Sequence, residues 1–276
     1  MPVGEASWQE FGALLERVDI AVGADAASPI WLTALNRVRG VIAEALERPA
    51  TSMLEEDYLI GIVHELDSPL SAEALLDRLD LAPLLSGDQR RLSESARRDL
   101  LRNRFSYYVD DLVVLAWDRA FIYEPRRDTD VVDVLEVANA QLLEMRYYDE
   151  LLDDELPRMY DLIEAGHHTV GLLASRRYAR LARRLYSLVA EVTELTERVD
   201  NALQVTEDVY LARVYGAAIE LFRVPNVSAA VDRKLSIIRE TYSALYSEAS
   251  SQRAELLEIA ILALILLEVV LSLVRH

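Results

Sequence analysis

Apolar residues recur at helical spacing over most of the chain, and strand-like patterning is confined to one interval in its front half. Residues 6–20 and 31–47 each carry an apolar stripe opposite a polar face, which predicts two amphipathic helices. A linker of small residues, Gly23–Pro29, separates them, and Pro49 prevents the second helix from continuing. We therefore expect a helical N-terminal region over residues 1–50.

The β signal lies between residues 51 and 128. Asp57–Leu66 is rich in β-favouring residues and predicts a strand, with a short helix as the alternative. Three aromatic or β-branched runs follow, separated from one another by breaks of two residues: Phe105–Val109, Leu112–Trp117 and Ala120–Tyr123. They predict an antiparallel meander that shares a sheet with the first strand. The expected second region is thus a small α+β domain.

Serines mark two helix starts inside this region. Ser71 is placed to cap a helix that continues through Leu76, and Ser93 or Ser95 to cap another that ends near Asn103.

Beyond Pro125 the pattern is helical almost to the end. One helix is predicted from Asp130 to Glu155, where Pro157 interrupts it, and a second break is predicted at Gly166–His168. Two seams of apolar residues at alternating spacings of four and three follow, as in coiled coils. The first comprises Leu181, Leu185, Leu188, Val192, Leu195, Val199 and Ala202. The second comprises Val231, Leu235, Ile238, Tyr242, Leu245 and Ala249, and it continues in phase through Leu256, Ile259, Ala263, Leu266, Val270 and Leu273.

Matching seams on two long helices predict a long antiparallel helical hairpin over residues 129–255. The alternative is a pair of amphipathic helices that pack on a globular core.

The final segment, Leu256–Val274, is the most apolar part of the chain. As a helix its 19 residues would span roughly 28 Å, close to the ~30 Å hydrocarbon thickness of a bilayer. Its leucine, isoleucine and valine content favours insertion enough to outweigh one central acid on insertion scales. We therefore predict a C-terminal transmembrane helix, with a helix buried in a large soluble core as the alternative.

An ionisable residue inside a span rarely faces lipid, so Glu268 is predicted to make an intramembrane contact with the same segment of another copy. A protonated glutamate in a lone helix is the alternative. The start of the chain has neither a secretory signal nor a transit peptide, so the segment is expected to be a tail anchor with the bulk of the protein on the cytoplasmic side.

Charge is distributed unevenly along the 276 residues, whose net charge is -18. Residues 1–156 carry a net charge of -17 and residues 157–276 only -1. A front half this acidic repels phosphate backbones and disfavours nucleic acid as a partner. The absence of cysteine excludes disulfides and thiolate metal sites.

One basic cluster interrupts this pattern and is the candidate patch for an anionic partner, either RNA or a lipid headgroup. Its members are Arg176, Arg177, Arg180, Arg183 and Arg184. The alternative is that these arginines pair with the acidic front half of the same chain. No phosphate-binding loop, nucleophile elbow or histidine spacing typical of a metal site occurs, so no catalytic residue, cofactor or metal is predicted.

Three stretches resemble the "required for meiotic nuclear division" and Sad1-interacting-factor family, as a bacterial-type member: Ser106–Leu115, Leu135–Glu144 and Leu256–Glu268. The resemblance implies an α+β front domain, long helices and a C-terminal membrane anchor, with no known enzymatic activity. Mitochondrial members are inner-membrane proteins linked to support of translation.

Together these expectations describe a predominantly helical α+β protein with a small antiparallel sheet and a helical hairpin over residues 129–255 that leads into a transmembrane helix at 256–274. The predicted function is a non-enzymatic, tail-anchored membrane scaffold that self-associates and presents an acidic domain to a protein partner. The alternative is a membrane enzyme or ion-handling protein that uses Glu268 and other acidic residues.

Overall fold

The computed structural model describes residues 4–23, 28–46, 53–88, 90–167 and 208–274, with a few helical positions between 180 and 193. The chain is α+β and mostly helical, and it divides into two compact units. The first unit is Met1–Glu144 with Gln204–Pro225, and the second is Met145–Leu203 with Asn226–His276.

The elements follow one another in this order. The front of the chain forms α1 (Trp8–Val22), α2 (Pro29–Ile42), a 3-10 turn (Ala43–Ala45), β1 (Leu59–Val63), α3 (Ala72–Arg78), α4 (Ala82–Ser86) and α5 (Glu94–Leu100). It continues with β2 (Arg104–Phe105), β3 (Leu112–Leu115), β4 (Arg119–Tyr123), α6 (Asp130–His167), α7 (Val209–Leu221) and α8 (Val224–Val274).

The sheet is mixed, with the strand order β1-β4-β3-β2. The meander β2-β3-β4 is antiparallel, as the short breaks between its runs predict, but β1 pairs with β4 in parallel. The expectation of a purely antiparallel sheet is therefore wrong. The connection through α3–α5 brings the chain back into β2 in the direction of β1, and β4, the third strand of the antiparallel meander, has that same direction.

Strand β4 lies at the centre of the core of the first unit. Residues 120–123 are at most 3% exposed, and Trp8 of α1 meets Phe121 edge to face at a centroid distance of 5.6 Å. Helix α1 also lies against β1 at Gly61, where an added Cβ would be 2.8 Å from Leu15 Cδ1 and 3.3 Å from Phe11 Cζ. Glycine at this position therefore leaves room for the close approach of helix and strand.

Serine caps fix the starts of three helices. Ser71 and Ser93 accept hydrogen bonds from the backbone N–H groups of Ala74 and Ala96, which confirms both predicted caps. Ser7 forms a reciprocal capping box with Glu10 at the start of α1.

Helix α6 runs without interruption through Pro157, so the predicted helix end near Glu155 is wrong. Proline in a helix interior removes one hydrogen bond and costs about 3 kcal/mol. Burial of Met159, which is 1% exposed, offsets part of this cost, whereas the ion pairs of the exposed Arg158 with Asp154 and Glu155 contribute little.

In the second unit, the early part of α8 lies beside the later part of α6. Val231, Leu235 and Ile238 are at most 3% exposed. Lys234 Nζ lies 2.6 Å from a carboxylate oxygen of Asp149 and of Asp153. Burial alone would lower the pKa of Lys234, but the hydrogen bonds to these two carboxylates outweigh it and raise the pKa, so the ion pairs hold the two helices together.

The first predicted seam falls mostly outside the described residues. Of its positions, Val192 is described and fully buried, and Arg239 donates a hydrogen bond to the neighbouring Thr193 at 3.0 Å.

In the part of the chain that the structure describes, no helix combines the length and the apolar character needed to cross a membrane. The predicted transmembrane helix Leu256–Val274 is therefore wrong, and with it the tail anchor and its cytoplasmic orientation. Glu258 and Glu268 leave nine uninterrupted apolar residues between them. In a helix these residues rise roughly 14 Å, about half of the hydrocarbon thickness.

The close approach at Gly61 generates a prediction. Gly61→Val forces Leu15 and Phe11 to move, so we expect the free energy of unfolding of the first unit to fall by about 1–3 kcal/mol. Urea unfolding followed by circular dichroism measures the change.

Gly12→Ala is the matched control on the facing helix, because a Cβ at Gly12 meets nothing within 4 Å. It should raise stability by up to ~1 kcal/mol, since alanine favours a helix over glycine. Equal effects of the two substitutions would show that the approach of α1 to β1 is not close.

Candidate functional site

The structure describes only some of the residues predicted to carry function. Arg180 and Arg183 are helical and exposed, whereas Arg176, Arg177 and Arg184 lie outside the described residues, so the basic patch stays a prediction. Glu268 is exposed on α8. The intramembrane contact assigned to it presupposed a membrane span, and that span is not found.

Among the described residues no group of three or more histidine, aspartate or glutamate side chains is arranged to hold a metal ion. His64 makes a hydrogen bond of 2.9 Å through Nδ1 to the backbone carbonyl of Glu124. This contact ties the end of β1 to the end of β4.

The last helix exposes an apolar surface that the sequence analysis assigned to lipid. We call the stretch Leu257–Val270 the apolar end of α8. Its large aliphatic side chains with a described position are 50–69% exposed: Leu257, Ile259, Ile261, Leu262, Leu264, Ile265, Leu266, Leu267 and Val270. At 1.5 Å per residue the stretch is roughly 21 Å long. An exposed apolar surface of this extent marks an interaction site.

The heptad seam links this surface to the buried part of the same helix. Near the start of α8 the seam residues are buried: Val231, Leu235 and Ile238. Farther along the same helix, the seam continues in the same heptad phase with two exposed residues, Ile259 and Leu266. One continuous stripe is therefore packed at its start and uncovered at its end.

A second candidate lies in the first unit, in the loop from Ser106 to Asp111. Asp111 is the buried charged residue here, at 3% exposure. Its carboxylate accepts hydrogen bonds from the backbone N–H groups of Tyr107 at 2.8 Å and Tyr108 at 3.1 Å, and Arg126 Nη2 donates to it at 3.2 Å. The buried carboxylate thus fixes a loop that presents two aromatic side chains at the surface.

The aromatic rings of this loop contact one another and a cation. Tyr107 meets Tyr108 edge to face at 4.7 Å and Tyr210 of α7 at 5.3 Å, measured between ring centroids. The Arg126 guanidinium carbon lies 3.7 Å from the centroid of the Tyr108 ring, within cation–π range. Burial, together with the charges of Asp111 and Glu124, raises the pKa of Tyr210, so its hydroxyl stays protonated.

The aromatic and β-branched run at residues 105–109 predicts a strand in place of this loop, and that prediction is wrong beyond Phe105. Strand β2 ends at Phe105. The backbone N–H groups of Tyr107 and Tyr108 donate hydrogen bonds to the Asp111 carboxylate, whereas in a strand they would donate to a neighbouring strand. The paired aspartates at 110 and 111 were the available signal, since aspartate captures nearby backbone N–H groups in turns.

The loop provides a prediction. Asp111→Asn removes the charge that pairs with Arg126 and weakens the two backbone hydrogen bonds, so we expect a loss of about 1–3 kcal/mol in stability. Hydrogen exchange at the amides of Tyr107 and Tyr108 should accelerate.

The exposed neighbour Asp110 provides the control, because Asp110→Asn should change stability by less than about 0.5 kcal/mol. Unchanged exchange in the Asp111 variant would mean that the carboxylate does not organise the loop.

Comparison with known proteins shows that the front of the chain is similar to an uncharacterised family. Residues 1–129 match the family described as "Uncharacterized protein MJ0711, N-terminal domain". The match ends where α6 begins, at Asp130. The chain is also 26% identical over 196 residues to "Uncharacterized protein MJ0711" of Methanocaldococcus jannaschii. That alignment covers 71% of this chain and 59% of the relative, so the chain spans less than two thirds of the relative's length. No solved structure matches.

These matches correct the resemblance drawn from sequence. The likeness to the "required for meiotic nuclear division" and Sad1-interacting-factor family is wrong, because the matches are to an archaeal protein and its N-terminal domain. The three stretches that suggested it lie in the loop before β3 together with β3 itself, in α6 and in the last part of α8. The predicted function, a tail-anchored membrane scaffold, is also wrong, because no helix among the described residues could cross a membrane. The alternative of a membrane enzyme or ion-handling protein is wrong for the same reason.

Proposed function

We propose that this protein is a non-enzymatic homo-oligomer whose copies associate through the apolar end of α8. The observation that carries the proposal is the seam, buried at Val231, Leu235 and Ile238 and exposed at Ile259 and Leu266 on the same helix. Apolar side chains at heptad spacing favour a partner helix with the same spacing.

A second copy supplies such a partner. The apolar end of one molecule is matched in period and length by the apolar end of another, and symmetric association of identical surfaces is the commonest route to an oligomer. Each large aliphatic side chain that becomes fully buried contributes about 1.5–3 kcal/mol. Several seam positions together therefore provide a driving force for association.

Charge favours this end of the chain for assembly. Residues 157–276 carry a net charge of only -1, whereas residues 1–156 carry -17. Association through the back half brings together segments that repel each other little, and an acidic surface then remains available for a separate protein partner.

The test compares two double variants of the apolar end. Ile259→Gln with Leu266→Gln removes two seam positions, which are 62% and 69% exposed. We expect the wild-type protein to sediment as an oligomer and this variant to dissociate at least ten-fold more readily, measured by analytical ultracentrifugation over a range of concentrations.

The control pair is Ile261→Gln with Leu264→Gln, which has the same residue types and similar exposure, at 54% and 64%, but lies off the seam. It should preserve most of the association. A monomeric wild type would contradict the proposal, and equal losses in the two pairs would contradict the role of the seam.

A further inference from the structure

A groove crosses the surface of the first unit between α2, the segment that leads into β1, and the start of α6. Its volume is about 660 Å³, within the range of sites for small organic molecules. Aliphatic and aromatic side chains form its walls, among them Trp31, Leu35, Val38, Ile60, Leu135 and Leu143. These side chains come from three stretches of sequence that the fold brings together.

The charged residues of the groove all have one sign. Glu55, Glu56, Asp57 and Glu136 line it, and none of its described lining residues is basic. The Glu55 and Glu136 carboxylates give the apolar cleft a negative potential that its low-dielectric walls concentrate.

Hydrogen bonds hold the two aromatic residues of the groove in place. The Tyr58 hydroxyl reaches the backbone carbonyls of Ala116 at 3.0 Å and Arg119 at 2.8 Å, which anchors this residue to the turn before β4. Burial raises the pKa of Tyr58, so the hydroxyl remains a donor. The Trp31 indole N–H donates to the carbonyl of Val22 at 2.6 Å, which joins the start of α2 to the end of α1.

We infer that this groove binds an organic cation with an apolar body, such as an alkyl or aryl amine. The apolar walls accommodate the body of the ligand, and the Glu55 and Glu136 carboxylates attract its ammonium group. Aromatic rings such as those of Trp31 and Tyr58 also favour a cation near their faces. An anionic ligand of the same shape is repelled by the Glu55 and Glu136 carboxylates and binds more weakly.

The test uses two fluorescent probes that share the same apolar body and differ in charge. Dansylcadaverine carries an ammonium group, and its N-acetyl derivative is neutral. Both are titrated into the Ile259→Gln, Leu266→Gln variant, so that binding to the apolar end of α8 is reduced. We expect the cation to bind at least ten-fold more tightly than the neutral probe, with a preference that weakens as salt is added.

Two sets of variants locate the binding. Leu35→Arg puts a positive charge on the wall and should abolish binding of the cation, with circular dichroism confirming that the fold persists. Glu55→Gln with Glu136→Gln should remove the ten-fold preference and leave the neutral probe unaffected. The control, Glu73→Gln with Glu94→Gln, changes two exposed glutamates outside the groove and should keep the preference.

Equal affinities for the two probes in the parent variant would overturn the inference. Binding that persists in Leu35→Arg would also overturn it, because the probe would then be bound elsewhere. Neither result depends on whether the protein self-associates, since both are measured in the seam variant.

Discussion

Unequal burial along one helix is the constraint on which the proposed self-association depends. Helix α8 has 51 residues and a single apolar seam, yet the seam is covered at Val231–Ile238 and exposed at Ile259 and Leu266. A helix that is apolar on all sides is stable only where other surfaces cover it. Packing against a second copy covers the seam side of the apolar end with the same heptad geometry that α8 already uses within its own unit.

The first unit is organised differently, around the buried strand β4. This strand pairs with β1 on one side and β3 on the other, and Trp8 of α1 packs against its Phe121. The Tyr58 hydroxyl bonds to the turn before β4, so the sheet core also fixes one wall of the acidic groove. Core packing and the candidate ligand site therefore share a residue.

Local features were predictable from the sequence because they depend on neighbouring residues. The caps at Ser71 and Ser93 and the antiparallel meander follow from side chains within a few positions of one another. The parallel pairing of β1 with β4 depends on how the chain crosses over through three short helices, which no local pattern specifies. Pro157 shows the same limit, because the helix continues through it to a Met159 side chain that is buried only in the folded protein.

The candidate sites were less predictable than the fold. The seam of α8 was visible in the sequence as a heptad pattern. The total hydropathy of the 19 residues from 256 to 274 nevertheless predicted a transmembrane helix, because a sum over the segment ignores where Glu258 and Glu268 interrupt it. The groove joins residues near 31–38, 53–60 and 132–143, so its combination of apolar walls and carboxylates exists only in three dimensions. Asp111 was placed correctly in a break between two predicted strands, but its burial and its bonds to the backbone of residues 107 and 108 depend on the fold.

Thiol labelling tests the central claim most directly, because the chain contains no cysteine of its own. A single cysteine at Ala263, on the seam, is compared with one at Ala254, off the seam, each labelled with a water-soluble maleimide over a hundred-fold range of protein concentration. Self-association through the apolar end predicts that labelling at 263 slows several-fold as concentration rises while labelling at 254 stays constant. Labelling at 263 that is fast and independent of concentration would contradict it.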